Sequence, residues 1–213
     1  PAMEIAISGS GPVADLRAEM AILADGQTAL SGTAFIAQRD EGFAIAADLG
    51  GPLSILVAAP YRPFFGPETA LSARALLRSE GGIEVTGLNL AGGQLSLDAS
   101  ASVTPDNFLS RLDLQAVIAD PAGNRVILPV AGSATSVGAA RIDVDFGTTG
   151  SDEWRAALDV DGLATDGFAA QSITLGIGGV ASNLDSPASR RVTFNGDGAI
   201  SGISADPGVE AAL

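Results

Sequence analysis

Between Gln94 and Val103 polar and apolar residues alternate without a break: Gln94, Ser96, Asp98, Ser100 and Ser102 interleave with Leu95, Leu97, Ala99, Ala101 and Val103. A period of two is that of a half-buried strand, with one wet and one dry face. Pro105-Asp106-Asn107 reverses the chain. Phe108 to Ala119 then runs back with Leu112, Leu114, Ala116 and Ile118 on the dry side, and Asp120-Pro121-Ala122-Gly123-Asn124 turns again. The stretch from Gly93 to Pro129 therefore predicts three antiparallel strands. They are long: Phe108 to Ala119 at about 3.3 Å per residue spans roughly 40 Å.

The pattern extends both ways. Upstream, Met3 to Ser8 predicts a short strand. Val13 to Asp25 predicts another, although Leu16, Met20 and Leu23 also satisfy helical spacing. Asp25-Gly26 is a hairpin signal, Gln27 to Gln38 returns, and Asp40-Glu41-Gly42 turns into Phe43 to Leu49. A helix is expected over Pro52 to Ala59, with proline at its start and Pro60 stopping it. Tyr61 to Pro67 reads as an irregular aromatic plug, capping an open sheet end or packed locally under a loop. Glu68 to Ser79 and Ile83 to Leu90 read as strands.

Downstream, Ala140, Ile142, Val144 and Phe146 alternate with Arg141, Asp143 and Asp145, and Trp154, Ala156, Leu158 and Val160 oppose Arg155, Ala157 and Asp159. Asp161-Gly162 is expected to turn or bulge, Ile173, Leu175 and Ile177 line another strand, and Arg191 to Ile200 makes the last. Leu16-Arg17-Ala18 to Asp25-Gly26 echoes Trp154-Arg155-Ala156 to Asp161-Gly162. Residues 1–213 are thus expected to form a single all-β segment of long antiparallel strands in one extended sheet with one short helix, an excerpt of a longer repetitive protein.

Composition narrows the chemistry. A formal charge of −14 with only 11 basic residues argues against nucleic acid, whose phosphates need clustered Lys and Arg. The chain has no Cys and no His, which removes disulfides, thiolate metal sites and triads built on either residue. Ser8-Gly9-Ser10-Gly11-Pro12 with Ala14 imitates a dinucleotide fingerprint, but Val13 to Asp25 alternates instead of opening a helix. Asn195-Gly196-Asp197-Gly198 resembles the middle of a calcium loop, yet Thr193 and Ser204 stand where the end ligands belong. Asp143 with Asp145, and Asp159 with Asp161, share a strand face as glycosidase carboxylates do, and as any wet acidic face does. The expectation is of a protein that is not an enzyme, with no cofactor and no metal.

Function then turns on what covers the dry face. A second sheet would make a sandwich whose apolar residues are ordinary core, a plain structural or adhesin-like segment without lipid cargo. A bilayer would need an aromatic girdle, and aromatics are only 5% of the chain. The third covering is an acyl chain lying in an open groove. Its candidate lining is Leu95 and Leu97, Leu112, Leu114 and Ile118, Ile142 and Val144, Leu158 and Val160, and Ile173 and Leu175.

Several stretches resemble the TamB family, the AsmA-like translocation and assembly module proteins, in its alphaproteobacterial form. They are Gly9-Ser10-Gly11-Pro12 leading to Asp15-Leu16-Arg17-Ala18 and Asp25-Gly26, Tyr61-Arg62-Pro63-Phe64-Phe65-Gly66-Pro67, Ile118 to Gly123 with Leu128-Pro129, and Asp206-Pro207 to Ala211-Ala212-Leu213. The resemblance implies a β-taco, a long sheet curled into an open groove. It implies a periplasmic location, with an inner-membrane anchor outside this chain and an Omp85-type, TamA-like outer-membrane partner. The implied work is phospholipid transport between the membranes, outer-membrane protein assembly, or both. The resemblance carries no catalytic residue.

Overall fold

The computed structural model describes residues 2–12, 14–147 and 151–205. The resemblance at Asp206 to Leu213 lies outside them. The chain opens as a meander: β1 (Met3–Ser10), β2 (Asp15–Ala24), β3 (Gln27–Arg39) and β4 (Gly42–Gly51). 3₁₀ turns at Leu53–Leu56 and Ala59–Tyr61 lead to α1 (Arg62–Phe65). Strands resume with β5 (Thr69–Arg78), β6 (Ile83–Ala91), β7 (Leu95–Val103) and β8 (Leu109–Ala119). After the short β9 (Val126–Ile127) and β10 (Ser136–Val137) come β11 (Ala139–Phe146), β12 (Glu153–Thr165) and β13 (Phe168–Ser182). β14 (Arg191–Val192), β15 (Asn195–Ser201) and β16 (Ser204–Ala205) end the described chain.

All pairings are antiparallel within one open, 16-stranded sheet, and the long strands follow one another from β1 to β8, then β11, β12, β13 and β15. The all-β, single-sheet expectation is met, and the second and fifth expected strands form as β2 and β5. Asp25 at φ 49° and Gly26 at φ 79° form the hairpin turn that the Asp-Gly pair signals.

Four local expectations change. Pro52 to Ala59 is not an α-helix. It holds one 3₁₀ turn, closed by Ile55 N–H to Pro52 O at 3.1 Å, and the backbone turns extended directly after it, at Val57 with ψ 158° and Ala58 with ψ 151°. The α-helical turn falls instead at Arg62–Phe65, inside the expected irregular plug. The third strand of the 93–129 trio shrinks to Val126–Ile127, which pairs with β10, so the neighbour of β8 is β11. At Gly162, φ 62°, strand β12 kinks and its edge partner passes from β11 to β10, while the hairpin forms at Asp166-Gly167. Lastly, the strand expected over Arg191 to Ile200 is broken at Thr193 and Phe194 into β14 and β15, and the dismissal of a calcium loop at Asn195 agrees with its place in a strand.

The buried core is small and sits at one end of the strands. Phe64, Val126, Val137 and Ala140 form it, with Phe65, Leu95, Ile118, Leu128, Val160 and Leu163 packed around. The segment from Leu53 to Phe65 thus folds onto the sheet as an end plug. It is fastened by backbone bonds, Gly93 N–H to Phe65 O at 2.9 Å and Gln94 N–H to Phe64 O at 3.0 Å. Gly66 requires its residue type twice over: φ is 73°, and a Cβ there would meet Gly93 Cα at 2.9 Å.

Candidate functional site

Because side chains alternate across a pleated strand, the registers decide which residues share a face. One row runs from edge to edge: Gly9, Ala18, Ala34, Ala47, Ala73, Leu88, Ala99, Leu114, Val144, Ala156, Ile177, Gly196. The parallel row beside it reads Ile7, Met20, Gly32, Leu49, Leu71, Leu90, Leu97, Ala116, Ile142, Leu158, Leu175, Gly198. A further row joins Leu16, Ile36, Ile45, Ala75, Val85, Ala101, Leu112 and Phe146. No hydrogen-bonding side chain interrupts any of them. Register shifts at Arg74/Ala75 and Val85/Leu88 keep the face in phase where Thr86 and Gly87 would otherwise invert it.

The reverse face carries Ser8, Glu19, Thr33, Asp48, Ser72, Asn89, Asp98, Gln115 and Asp143 in one row. Arg74 grips Asp48 there at 2.8 and 2.9 Å, and Arg141 holds Asp143 at 2.6 and 3.0 Å. These pairs are solvent-exposed and add little stability. The hydrogen bonds from Arg141 hold the Asp143 carboxyl below the usual carboxylate range. That is the opposite of the raised value a general acid needs.

All the predicted lining residues fall on the apolar face, but not in one setting. Leu97, Leu112, Leu114, Ile142, Val144 and Leu158 lie half-buried on the strands, and Leu175 is 40% exposed near one edge. Leu95, Ile118 and Val160, with Ile173 paired beside Val160, form the end row. The first three pack against the Phe64 cluster. They belong to the plug's core and not to an open surface. The lining residues expected from sequence begin only at β7. Leu49, Leu71, Leu88 and Leu90 complete the same rows, and their alternation was the signal available to find them.

The ends of the strands differ. At one end the plug closes over the apolar face. At the other a polar cleft of about 1320 Å³ is lined by Glu80, Thr104, Arg111, Asp152 and Asp185 among others. The segment from Asn183 to Arg190 borders it, held across the turn before β8 by Arg190.

Trp154, the one tryptophan, stands at the margin of the apolar face. It faces Gly179 across the ladder and meets Phe146 edge-on at 5.8 Å, and its indole N–H donates to Thr193 O at 3.0 Å. Its polar atom is satisfied at the rim while its rings extend the apolar surface.

No helix among the described residues is long and apolar enough to cross a membrane. Such a face can hold hydrocarbon, gaining about 25 cal/mol per Å² of apolar surface removed from water. No protein-family model, curated protein or solved structure matches the chain.

Proposed function

We propose that the apolar face is a binding trough for acyl chains and that the protein is a lipid-conducting segment of the TamB type. In that role it works between inner and outer membrane, in the periplasm, with an Omp85-type partner. The observation that carries the reading is the unbroken run of apolar rows across an open sheet whose central strands are covered by no second sheet among the described residues. A sandwich would seal those rows along their whole length, and here the plug's core takes in the end row at Leu95, Ile118 and Val160. Soluble proteins rarely leave large contiguous apolar patches uncovered without a ligand or partner.

A photo-crosslinker at Leu114 tests this against one at Asp113, its neighbour on the opposite face. Phospholipid captured at Leu114 and not at Asp113 supports the trough. Capture of protein alone at Leu114, with no lipid in native mass spectra of the purified chain, overturns it.

A further inference from the structure

The apolar face is graded along its strands. Its outermost row at one end joins Phe43, Leu77, Ile83, Val103 and Leu109 across β4 to β8. Four of these large side chains stand open to solvent, Phe43 at 39%, Leu77 at 41%, Ile83 at 43% and Leu109 at 40%. At the opposite end of β8 and the start of β11, Ala116 is 6% and Ala140 9% exposed, and Leu95 and Ile118 pack against Phe64.

What lies beyond each end differs in the same sense. Past the open row, the turn between β3 and β4 brings Asp40 and Glu41 to the polar cleft, and the turn between β5 and β6 brings Glu80. The connection into β12 adds Asp152, the segment after β13 adds Asp185, and β8 adds Arg111. Past the packed row stand the rings of Phe64 and Phe65, with Val126 and Leu128. An amphiphile gains most by laying hydrocarbon on apolar side chains and leaving its polar head among charges and water. The opposite sense would press that head under the phenyl rings, and a polar group buried without a partner is strongly disfavoured.

We infer that the lipid lies along the strands in one sense only, its headgroup at the charged cleft and its methyl ends toward Phe64 and Phe65. The inference rests on the reading of the apolar face as an acyl trough, and it adds which end of the cargo goes where. The row from Phe43 to Leu109 is where the glycerol end leaves the apolar surface, and the plug is the stop that meets the tails. The cargo is therefore an amphiphile that is polar at one end alone.

Trp154, the one tryptophan, stands near the start of β12 and against Phe146, so it reads the cleft end of the trough. Phe146 pairs with Leu112 and Leu112 with Ala101. Leu97 lies two apolar rows closer to the plug than Ala101, about 13 Å along the strand. The purified protein is loaded from vesicles of phosphatidylcholine brominated on its acyl chains, either beside the glycerol or beside the methyl end. Trp154 fluorescence should be lost strongly with the first lipid and weakly with the second. In Trp154→Phe combined with Leu97→Trp the order should reverse. Should Leu97→Trp fail to fold by circular dichroism, the order at Trp154 in the unaltered protein decides alone. Equal quenching by the two lipids, or stronger quenching of Trp154 by the methyl-end bromines, overturns the orientation and leaves the trough standing. No quenching by either lipid overturns the trough, and this inference with it.

Discussion

Arg190 holds Asp106 with both terminal nitrogens, Nη1 to Oδ2 at 3.0 Å and Nη2 to Oδ1 at 3.2 Å, across a sequence separation of 84 residues. The same guanidinium lies 3.8 Å from the centroid of the Phe108 ring. One side chain thus pins the loop after β13 to the turn that begins β8. Its planar head bonds the carboxylate and stacks on the ring at once, which lysine cannot reproduce.

That contact sets an acid response. The Asp106 carboxyl is lowered from 3.8 to about 2, first by the Arg190 hydrogen bond and then by Thr104. Because the folded value is the depressed one, the stabilisation is complete above 3.8 and is lost as pH falls toward 2. Pepsin cleavage within Asn183 to Arg190 should therefore rise through that window. Asp106→Asn should remove the step, leaving the loop's cleavage from pH 4 downward, about the ordinary carboxylate value, constant relative to that of an unfolded peptide cut by the same pepsin.

Phe64 is 5% exposed at the centre of the end plug, so Phe64→Ala should cost about 3 kcal/mol through lost contacts and the cavity left behind. A denaturant melt reads the loss. An unchanged midpoint would show that the plug rests on the sheet without supporting it.

Gly32 sits in an apolar row where a Cβ would collide with the carbonyl oxygen of Asp48 on the adjacent strand. Gly32→Ala should therefore destabilise the protein by about 1 to 3 kcal/mol, as overpacking does. Substituting Gly26, whose added Cβ would meet nothing within 4 Å, tests φ alone, since its φ is 79°. Gly26→Asn should be nearly neutral, because asparagine tolerates that region.

Trp154 gives an optical test of the proposed trough. Loaded with lipid brominated along its acyl chains, the protein should lose Trp154 fluorescence, since the indole lies on the apolar face beside Phe146. Leu114→Asp places an unpaired charge in that path. It should abolish the quenching while the β spectrum persists, because Leu114 is only half-buried. Quenching that survives the charge would place the lipid elsewhere.

Much of the fold was legible in advance because alternation is local. Leu112, Leu114 and Ile118 declare a dry face from within their own strand, and Asp25-Gly26 declares its turn. What the strands do with one another is not local. Nothing around Asp120 says that the chain leaves the sheet for the plug and returns at Ala139, since Val126 and Val137 are buried by Phe64, a residue from a distant loop. For the same reason Leu95, Ile118 and Val160 looked identical to Leu97 and Leu158 until the plug was placed over them. The Pro52 to Ala59 segment misled because proline marks where a helix can start and stop, but not whether the residues between stay helical, and Val57 and Ala58 are extended.

The apolar rows also bear on motion. Neighbouring strands stand about 4.8 Å apart, so a hydrocarbon tail moved one strand along exchanges one set of methyl groups for another of the same kind. From Leu71 through Leu90, Leu97, Ala116, Ile142 and Leu158 the row offers no donor, acceptor or charge at which a tail could lodge. The energy along that direction is nearly level. An acyl chain held there, as proposed, would meet no polar step along the row, and the row from Ala73 through Leu88, Ala99, Leu114 and Val144 beside it is equally free of one.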